Sequence, residues 1–557
     1  MSDSIDHTAS RGAAVLAAVC VAAVILPLSF SAGAIATPAI GRALGGGPVA
    51  LNWITNAFML AFGSCLMAAG TLADRFGRRR VFLCGVSVFS LMSMLLALAP
   101  GIVWVDLLRA AQGVGAAAAL AGGSAALAQE FDGHARTRAF SLLGTTFGVG
   151  LAFGPVLAGG LIELFGWRAV FVSTALLGVM SLLLAAPGMP ETRDPHASGV
   201  DWPGMASFTA ALGLFTVAIL EAPDIGWGHP AVGSLFAAAA GSLVAFVLIE
   251  RHTVRPMLDL SLFRYRRFVG VQLLPIATCY CFVVLLVILP IRFVGIEGYA
   301  PLNAGLMMIA LSAPMLVMPA LAVRLTRHAS PGLISSLGLL IAAAGLVWLG
   351  GVPVGAEPAA LLVPMGVIGT GTGLPWGLMD GLSVSVVPKE RAGMATGIFS
   401  TTRVAGEGLA LAMVSAALAG IVAARLTPVI AALAPLAPGH KLMAAGSGAP
   451  RTAIDLAAQR LATGDLSGAS ALLPGVSLAM LRQHYADAFH LLTYGLAAIT
   501  VLAALATLHY LGLGDRQEAS VATTATTATT ATCDLRRRAL IHHGRSIRDV
   551  HAIPTPR

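Results

Sequence analysis

The chain has 557 residues, 57% of them hydrophobic and only 11% charged, with a mean hydropathy of +0.84. Soluble chains carry about 25% charged residues, so a water-soluble globular body is excluded. The net charge of +8 does not signal nucleic acid, because the arginines cluster in alternate short loops, as the positive-inside rule describes.

Apolar runs recur from Ala13 to Leu511, each long enough to cross a roughly 30 Å hydrocarbon core as a helix. Barrel strands would show about 10 residues of alternating polarity, and no such alternation is seen. The predicted spans are 13–38, 51–72, 80–99, 103–128, 138–162, 168–187, 204–222, 231–250, 268–291, 302–325, 332–350, 359–384, 393–424 and 486–511, fourteen in all. Ala13–Phe30 followed by Ala34-Ile-Ala36 has the outline of a signal peptide. The apolar run continues to Ile40, so it reads as the first span.

The turn after span two, Gly70-Thr-Leu-Ala-Asp74-Arg75-Phe-Gly77-Arg78-Arg79-Arg80, packs five charges and two glycines between apolar runs. Glycines allow close helix approach and a tight turn, and Asp74 is placed to face a helix N-terminus or an arginine. Arg109 lies inside span four, where a guanidinium needs a cavity or a partner. In span five, Gly150, Gly154 and Gly159 make a small-residue face, and Pro155 permits a bend. Glu163 and Glu221 fall at span ends and read as solvated. Asp380 lies towards the end of span twelve. Glu407 lies deep in span thirteen, four residues after Arg403 and on its face. That pair suits a proton relay or a cationic-substrate contact, with a buried structural ion pair as the plain alternative. Residues 425–485 read as a long external loop in which pieces such as 453–462 form short helices. The tract Ala522–Thr532 is low-complexity and cannot build a core.

Basic residues set the orientation. Arg75 with Arg78–Arg80, Arg136 with Arg138, Arg193, Arg251 to Arg267, Arg324 with Arg327, and Lys389 with Arg391 fall at alternate junctions. The intervening loops are nearly bare, with Arg42, Arg168 and Arg292 at their edges. Both termini are therefore expected in the cytoplasm. A weak echo of the Leu72–Arg78 turn at Ala322–Arg327 hints at repeated halves.

Three motifs resemble the major facilitator superfamily, and within it the fourteen-span drug:proton antiporters. They are Gly70-x-Leu-Ala-Asp74-Arg75-x-Gly77-Arg78-Arg79, Leu108-Arg109-Ala-Ala-Gln112-Gly113-Val-Gly115, and Gly150-Leu-Ala-Phe-Gly154-Pro155-Val-Leu-Ala-Gly159. Trp53 opening span two, Gly166-Trp167-Arg168 opening span six and Pro388-x-x-Arg391-x-Gly393 opening span thirteen add to the match, which covers roughly residues 13–511. The resemblance implies an all-α polytopic fold: two six-helix bundles, 13–187 and 268–511, joined by two linker spans and a basic loop, 188–267. Residues 1–12 and 512–557 are then a cytoplasmic start and a disordered tail.

The resemblance further implies a latch at Gly70, Asp74, Arg75, Gly77, Arg78 and Arg79, proton coupling at Arg109, and an antiporter helix at Gly150, Gly154, Pro155 and Gly159. Candidate cavity residues are Ser29, Trp53, Phe58 and Gln112. Ser29 stands where many relatives carry a span-one aspartate, and Phe58 where a tyrosine is expected. Protons are then coupled through Glu407 or Asp380, with Arg403, or the substrates are neutral or anionic.

The implied function is proton-coupled export of small amphipathic compounds across the cytoplasmic (inner) membrane, the alternative being export of one metabolite, peptide or siderophore. The expected partners are a small-molecule substrate, protons and the lipid bilayer, with no nucleic acid; a periplasmic adaptor is left open. A membrane enzyme would need a His/Asp/Glu cluster, and His484, Asp487 and His490 have poor spacing for one face. A sensor would need a soluble output domain, which the tail does not offer. No Gly-x-x-x-x-Gly-Lys-Ser/Thr loop is present, so ATP-driven transport by this chain is not expected, nor is any cofactor. The six cysteines show no metal or disulfide spacing.

Overall fold

The structure, a computed structural model, describes residues 2–131, 133–193, 201–253, 258, 260–353, 355–387, 392–433 and 449–512. Every regular element among them is helical. The Thr/Ala tract of the tail, Cys533, and Pro388, Lys389 and Arg391 lie outside the described residues.

Eight helices come first: α1 (Ser2–Leu44), α2 (Pro48–Phe76), α3 (Arg78–Ala97), α4 (Ile102–Glu130), α5 (Gly133–Phe165), α6 (Arg168–Gly188), α7 (Trp202–Ile225) and α8 (Pro230–His252). The ninth span, Arg266–Ile296, comprises α9 (Arg266–Thr278) and α10 (Leu285–Pro290) with π-helical turns after each. The tenth is α11 (Pro301–Ser312) and α12 (Pro314–Leu325). Then follow α13 (Pro331–Gly350), α14 (Pro358–Ser385), α15 (Ala392–Leu433), α16 (Ala449–Ala462), α17 (Leu466–Leu472) and α18 (Leu478–Thr507). Thirteen spans are long and apolar enough to cross a membrane, and the bent α5 makes a fourteenth. All fourteen coincide with the predicted runs.

Proline at the first turn starts α2, α8, α11, α13 and α14, a position whose N–H has no helical partner anyway. The Asp201, Ser330 and Ser477 side chains cap α7, α13 and α18 by accepting from Gly204, Leu333 and Met480 N–H. Inside spans, proline bends the ladder. The α5 axis turns by 40° between Leu151 and Phe153, because Pro155 leaves the Leu151 carbonyl without its donor. Ala313-Pro314 breaks span ten in the same way.

In the first half, α2 and α3 pack on α4, α3 on α6, and α1 on α5 and α6. In the second, α13 packs on α14 and α18, α12 on α14, and α9 on α14, α15 and α18. The α7–α8 pair leans on α2 and α15 through α7. The halves meet where α2 crosses α15 and α5 crosses α11. Both crossings depend on glycine. A Cβ on Gly63 would lie 2.7 Å from the Ala405 nitrogen, and one on Gly305 would lie 2.5 Å from the Pro155 carbonyl oxygen. Only a missing side chain lets the backbones come that close.

Two expectations change. The long loop expected over 425–485 is shorter at both ends, and the helical piece expected over 453–462 lies within α16. Helix α15 runs on to Leu433 and α18 starts at Leu478, with α16 and α17 between them. Ile454, Ala457, Ala458 and Leu461 are buried in the main core, an i, i+3, i+4, i+7 stripe that seats α16 against α15, α7 and α2. Arg292, read as a loop-edge residue, has no exposed surface. It pairs with Glu297 at 2.7 Å and lies 4.7 Å from the Phe489 ring centroid.

Gly70 makes no close approach, since a Cβ there would meet nothing within 4 Å. The sequence reading of Gly70 as a packing glycine is therefore replaced by Gly63. Gly63→Leu is expected to cost about 1–3 kcal/mol through overpacking, lowering the melting temperature in detergent and abolishing efflux. Gly70→Ala is expected to leave both unchanged.

Candidate transport site

A narrow cavity of about 40 Å³ lies between the halves. Pro27 and Phe30 of α1, Phe58 and Phe62 of α2, and Phe147 and Leu151 of α5 form one wall. Val283, in the π-helical turn after α9, Trp376 of α14 and Arg403, Val404 and Glu407 of α15 form the other. The lining is aromatic and aliphatic, with one cation and one carboxylate one turn apart on α15. Ligand sites are of this kind: mostly apolar, with a few placed polar groups.

Arg403 Nη1 lies 3.4 Å from Asp380 Oδ1. Its guanidinium is also near the rings of Trp376 (6.0 Å) and Phe399 (5.9 Å). The Asp380 side chain is 62% exposed and that of Arg403 14% exposed, so Asp380 marks the solvent end of the pair. Among the described residues no hydrogen bond holds Glu407. The structure thus brings three of the four predicted proton-coupling residues to one place, with Asp380 as the ion-pair partner and Glu407 as the carboxylate on the cavity wall.

Arg109 is elsewhere. It is fully buried within the first half. Its Nε donates to the Ile54 carbonyl at 2.7 Å, and its Nη1 to Gln112 Oε1 at 2.6 Å and Ser29 Oγ at 3.0 Å. Gln112 Nε2 donates to Ser93 Oγ at 2.7 Å, and Ser93 donates to the Phe89 carbonyl. The guanidinium carbon sits 4.4 Å from the centroid of Phe58. One arginine therefore ties together α1, α2, α3 and α4, and touches the cavity wall through Phe58.

This placement corrects three cavity assignments. Ser29 and Gln112 do not line the cavity; both face Arg109. Trp53 is absent from it too, packing with Ile219, Leu220, Ala412 and Ala416 between α7 and α15. Phe58 lines the cavity.

Sequence reasoning missed Asp106. It lies one helical turn before Arg109, and its Oδ1 is buried without a hydrogen-bond partner among the described residues. The i, i+3 spacing inside an apolar run was the signal. It was masked because position 106 falls close to the predicted start of span four.

At the turn between α2 and α3, Gly77 adopts φ +113°, a conformation open to glycine. Asp74 Oδ1 accepts from Arg78 Nη2 at 2.9 Å and Nε at 3.2 Å. Arg78 N donates to Thr192 O, Arg79 N to Glu191 Oε1, and Arg79 Nη2 to Ala186 O. Arg75 lies over Phe76. These bonds clamp the turn to the chain leaving α6, inside the first half. No hydrogen bond or ion pair from the six motif residues to the second half is found among the described residues, so the inter-half latch is not formed in this arrangement.

On α5, a Cβ at Gly150 would press on Pro27 Cγ at 2.5 Å and the Val24 carbonyl oxygen at 2.7 Å. Gly154 faces Ser31 of α1, and Gly159 faces Pro301 across the halves. The motif is a packing surface on both sides of the Pro155 bend. At the other end of the chain, Asp487 accepts from Gln483 and His490 bonds the Val352 carbonyl. No group of three metal-ligating side chains occurs among the described residues.

Fourteen helical spans around a central cavity, with ionisable side chains drawn from helix interiors, define a polytopic membrane transporter. The family model of the Major Facilitator Superfamily matches residues 19–411, and the chain belongs to that family. It is 32% identical over 399 residues to "Multidrug resistance protein Stp" of Mycobacterium tuberculosis, covering 71% of this chain and 73% of that one. It is 31% identical to "Cephamycin export protein CmcT" of Amycolatopsis lactamdurans, over 72% and 84% of the two chains. The inward-facing, occupied structure of a bacterial homologue of the human lysosomal transporter Spinster superposes with a TM-score of 0.57 at 16% identity, over 89% and 96%. At that identity it reports the fold alone.

Arg109→Lys tests the network. A lysine keeps the charge but not the planar fork that reaches Ile54, Ser29 and Gln112 together. Expression is expected to persist and efflux to be lost; an active Arg109→Lys protein would show that charge alone suffices.

Proposed function

We propose that the protein is a proton-driven exporter of small amphipathic compounds, working by alternating access in the cytoplasmic membrane with both termini inside the cell. The observation that carries this reading is the cavity itself. Aromatic side chains from both halves face each other across it, with Arg403 and Glu407 on one side, and separation of the halves would widen it for a substrate. Relatives named for multidrug resistance and for export of an antibiotic support the direction of transport and the substrate class.

The division of labour follows from the packing. Residues 13–187 and 268–511 act as the two moving bundles, and 188–267 carries the added span pair. The α5–α11 contact through Gly159 and Gly305 closes the face away from the basic loops, whereas α5 touches α12 only lightly, Gly148 being 3.5 Å by its would-be Cβ from the Met315 carbonyl. Together with the exposure of Asp380, this supports a cavity that opens towards the cytoplasm. Substrate enters there, and protonation of Glu407 accompanies its release outside. A dedicated exporter of one metabolite is the second reading, favoured by the relatives whose printed names carry a single product, cephamycin or tetracenomycin C.

A susceptibility panel in an efflux-deficient bacterium tests both readings. Expression is expected to raise tolerance to several chemically unrelated amphipathic compounds; tolerance to a single compound favours the dedicated exporter. Wild-type efflux should weaken as the outer medium is made more alkaline and the inward proton gradient shrinks. Glu407→Gln should flatten that dependence, and an unchanged pH profile in Glu407→Gln would remove Glu407 from the coupling step.

A further inference from the structure

The first half holds a carboxylate that the cavity-centred account does not use. Asp106 lies four residues after Ile102, so about 6 Å into α4 at 1.5 Å per residue, on the side away from the basic loops. Its Oδ1 is buried without a hydrogen-bond partner among the described residues, and so is Nη2 of Arg109, one turn further along the helix. The two form no ion pair within 4 Å among the described residues. Each is left with unused hydrogen-bonding capacity.

The surroundings offer Asp106 little else. Of the helices packed on α4, α1 brings Arg42 in its last turn, and α2 carries no charge before Asp74. The charges of α3 are Arg78–Arg80 at its far end, and at the near end α5 has only the exposed Glu163. Ser29 reaches the guanidinium from α1 without a charge. Arg109 is therefore the cation that Asp106 faces inside the bundle. A charge kept in the membrane interior with an unfilled bonding site is a functional candidate rather than a stabilising one.

We propose that Asp106 is the acid through which the first half takes up the coupling proton, with Arg109 and Phe58 passing its state to the cavity. This rests on the exporter reading above. As a carboxylate, Asp106 offsets the guanidinium charge. When a proton from the outer side binds Asp106, the acid becomes neutral and Arg109 depends on Ile54, Ser29, Gln112 and the Phe58 ring alone. Phe58 also lines the cavity, so this change reaches the substrate wall without substrate touching either residue. The same proton returns to water on the other side when the bundle reverses. Asp106 is a proton carrier and Arg109 a positioning residue.

Everted membrane vesicles energised by respiration, with a quenched acridine dye reporting the proton gradient and ethidium, tetraphenylphosphonium and tetracycline as added probes, provide the test. The wild type is expected to recover dye fluorescence on adding at least one probe, as protons leave with its transport. Asp106→Asn is expected to bind that probe within about twofold of wild type, measured by fluorescence polarisation or equilibrium dialysis on purified protein. Its coupled proton movement should fall about tenfold or more, as expected for losing a positioned proton carrier. Asp106→Glu should restore a substantial part of that movement. The proposal is overturned if Asp106→Asn moves protons as the wild type does. It is also overturned if Asp106→Asn and Asp106→Glu lose binding and coupling alike, the pattern of a structural residue. A Glu407→Gln protein that fails while Asp106→Asn works would leave the exporter reading intact and reject Asp106 alone. A wild type that moves no protons with any probe would overturn the exporter reading and this one together.

Discussion

Hydrocarbon offers a charged side chain no partner, and much of this molecule is organised around that constraint. Arg109, Arg292 and Arg403 all sit inside spans, yet each is accommodated differently. Arg292 is sealed by Glu297 and Phe489 at one end of the second half. Arg109 is distributed over a carbonyl, a hydroxyl, an amide and a ring from three helices. Arg403 is left on the wall of a cavity, beside the Asp380 and Glu407 carboxylates. The first two are held within one half each, and the third faces the space between the halves.

The second organising feature is how closely the helix backbones approach. Without a hydrophobic drive between helices in lipid, association depends on contact. Gly63 against Ala405 and Gly305 against Pro155 place the two halves in direct backbone contact at two crossings. Irregular backbone reaches the cavity at two points, Leu151 at the α5 bend and Val283 in the π-helical turn after α9, and π-helical turns commonly mark functional sites.

The sequence was most legible where a single physical quantity decides the outcome. Run length and hydropathy located all fourteen spans, because about 20 apolar residues admit no other structure in a bilayer. Glu407 and Arg403 stood out because charge is rare in spans. What could not be read was direction. Ser29, Trp53 and Gln112 were placed on the cavity, but which way each points depends on helix rotation, which the tertiary packing sets. Gly70 and Gly63 look alike in sequence, and only the crossing of α2 with α15 tells which one is needed. Residues 453–462 are legible as a short helix, but the surface that α16 covers is not, because four apolar positions do not name the neighbours that bury them. Asp106 was overlooked for a similar reason, since a carboxylate near a span boundary reads as solvated until the helix start is fixed at Ile102.

All of this depends on the chain threading the bilayer fourteen times, with every basic junction on one face. Single cysteines replacing Arg75, Arg264, Trp227 and Gly355 in a cysteine-free background, treated with a membrane-impermeant maleimide in right-side-out and everted vesicles, test that arrangement directly. Arg75→Cys and Arg264→Cys are predicted to react only in everted vesicles, and Trp227→Cys and Gly355→Cys only in right-side-out ones. Reaction of the first two from opposite sides would contradict the account.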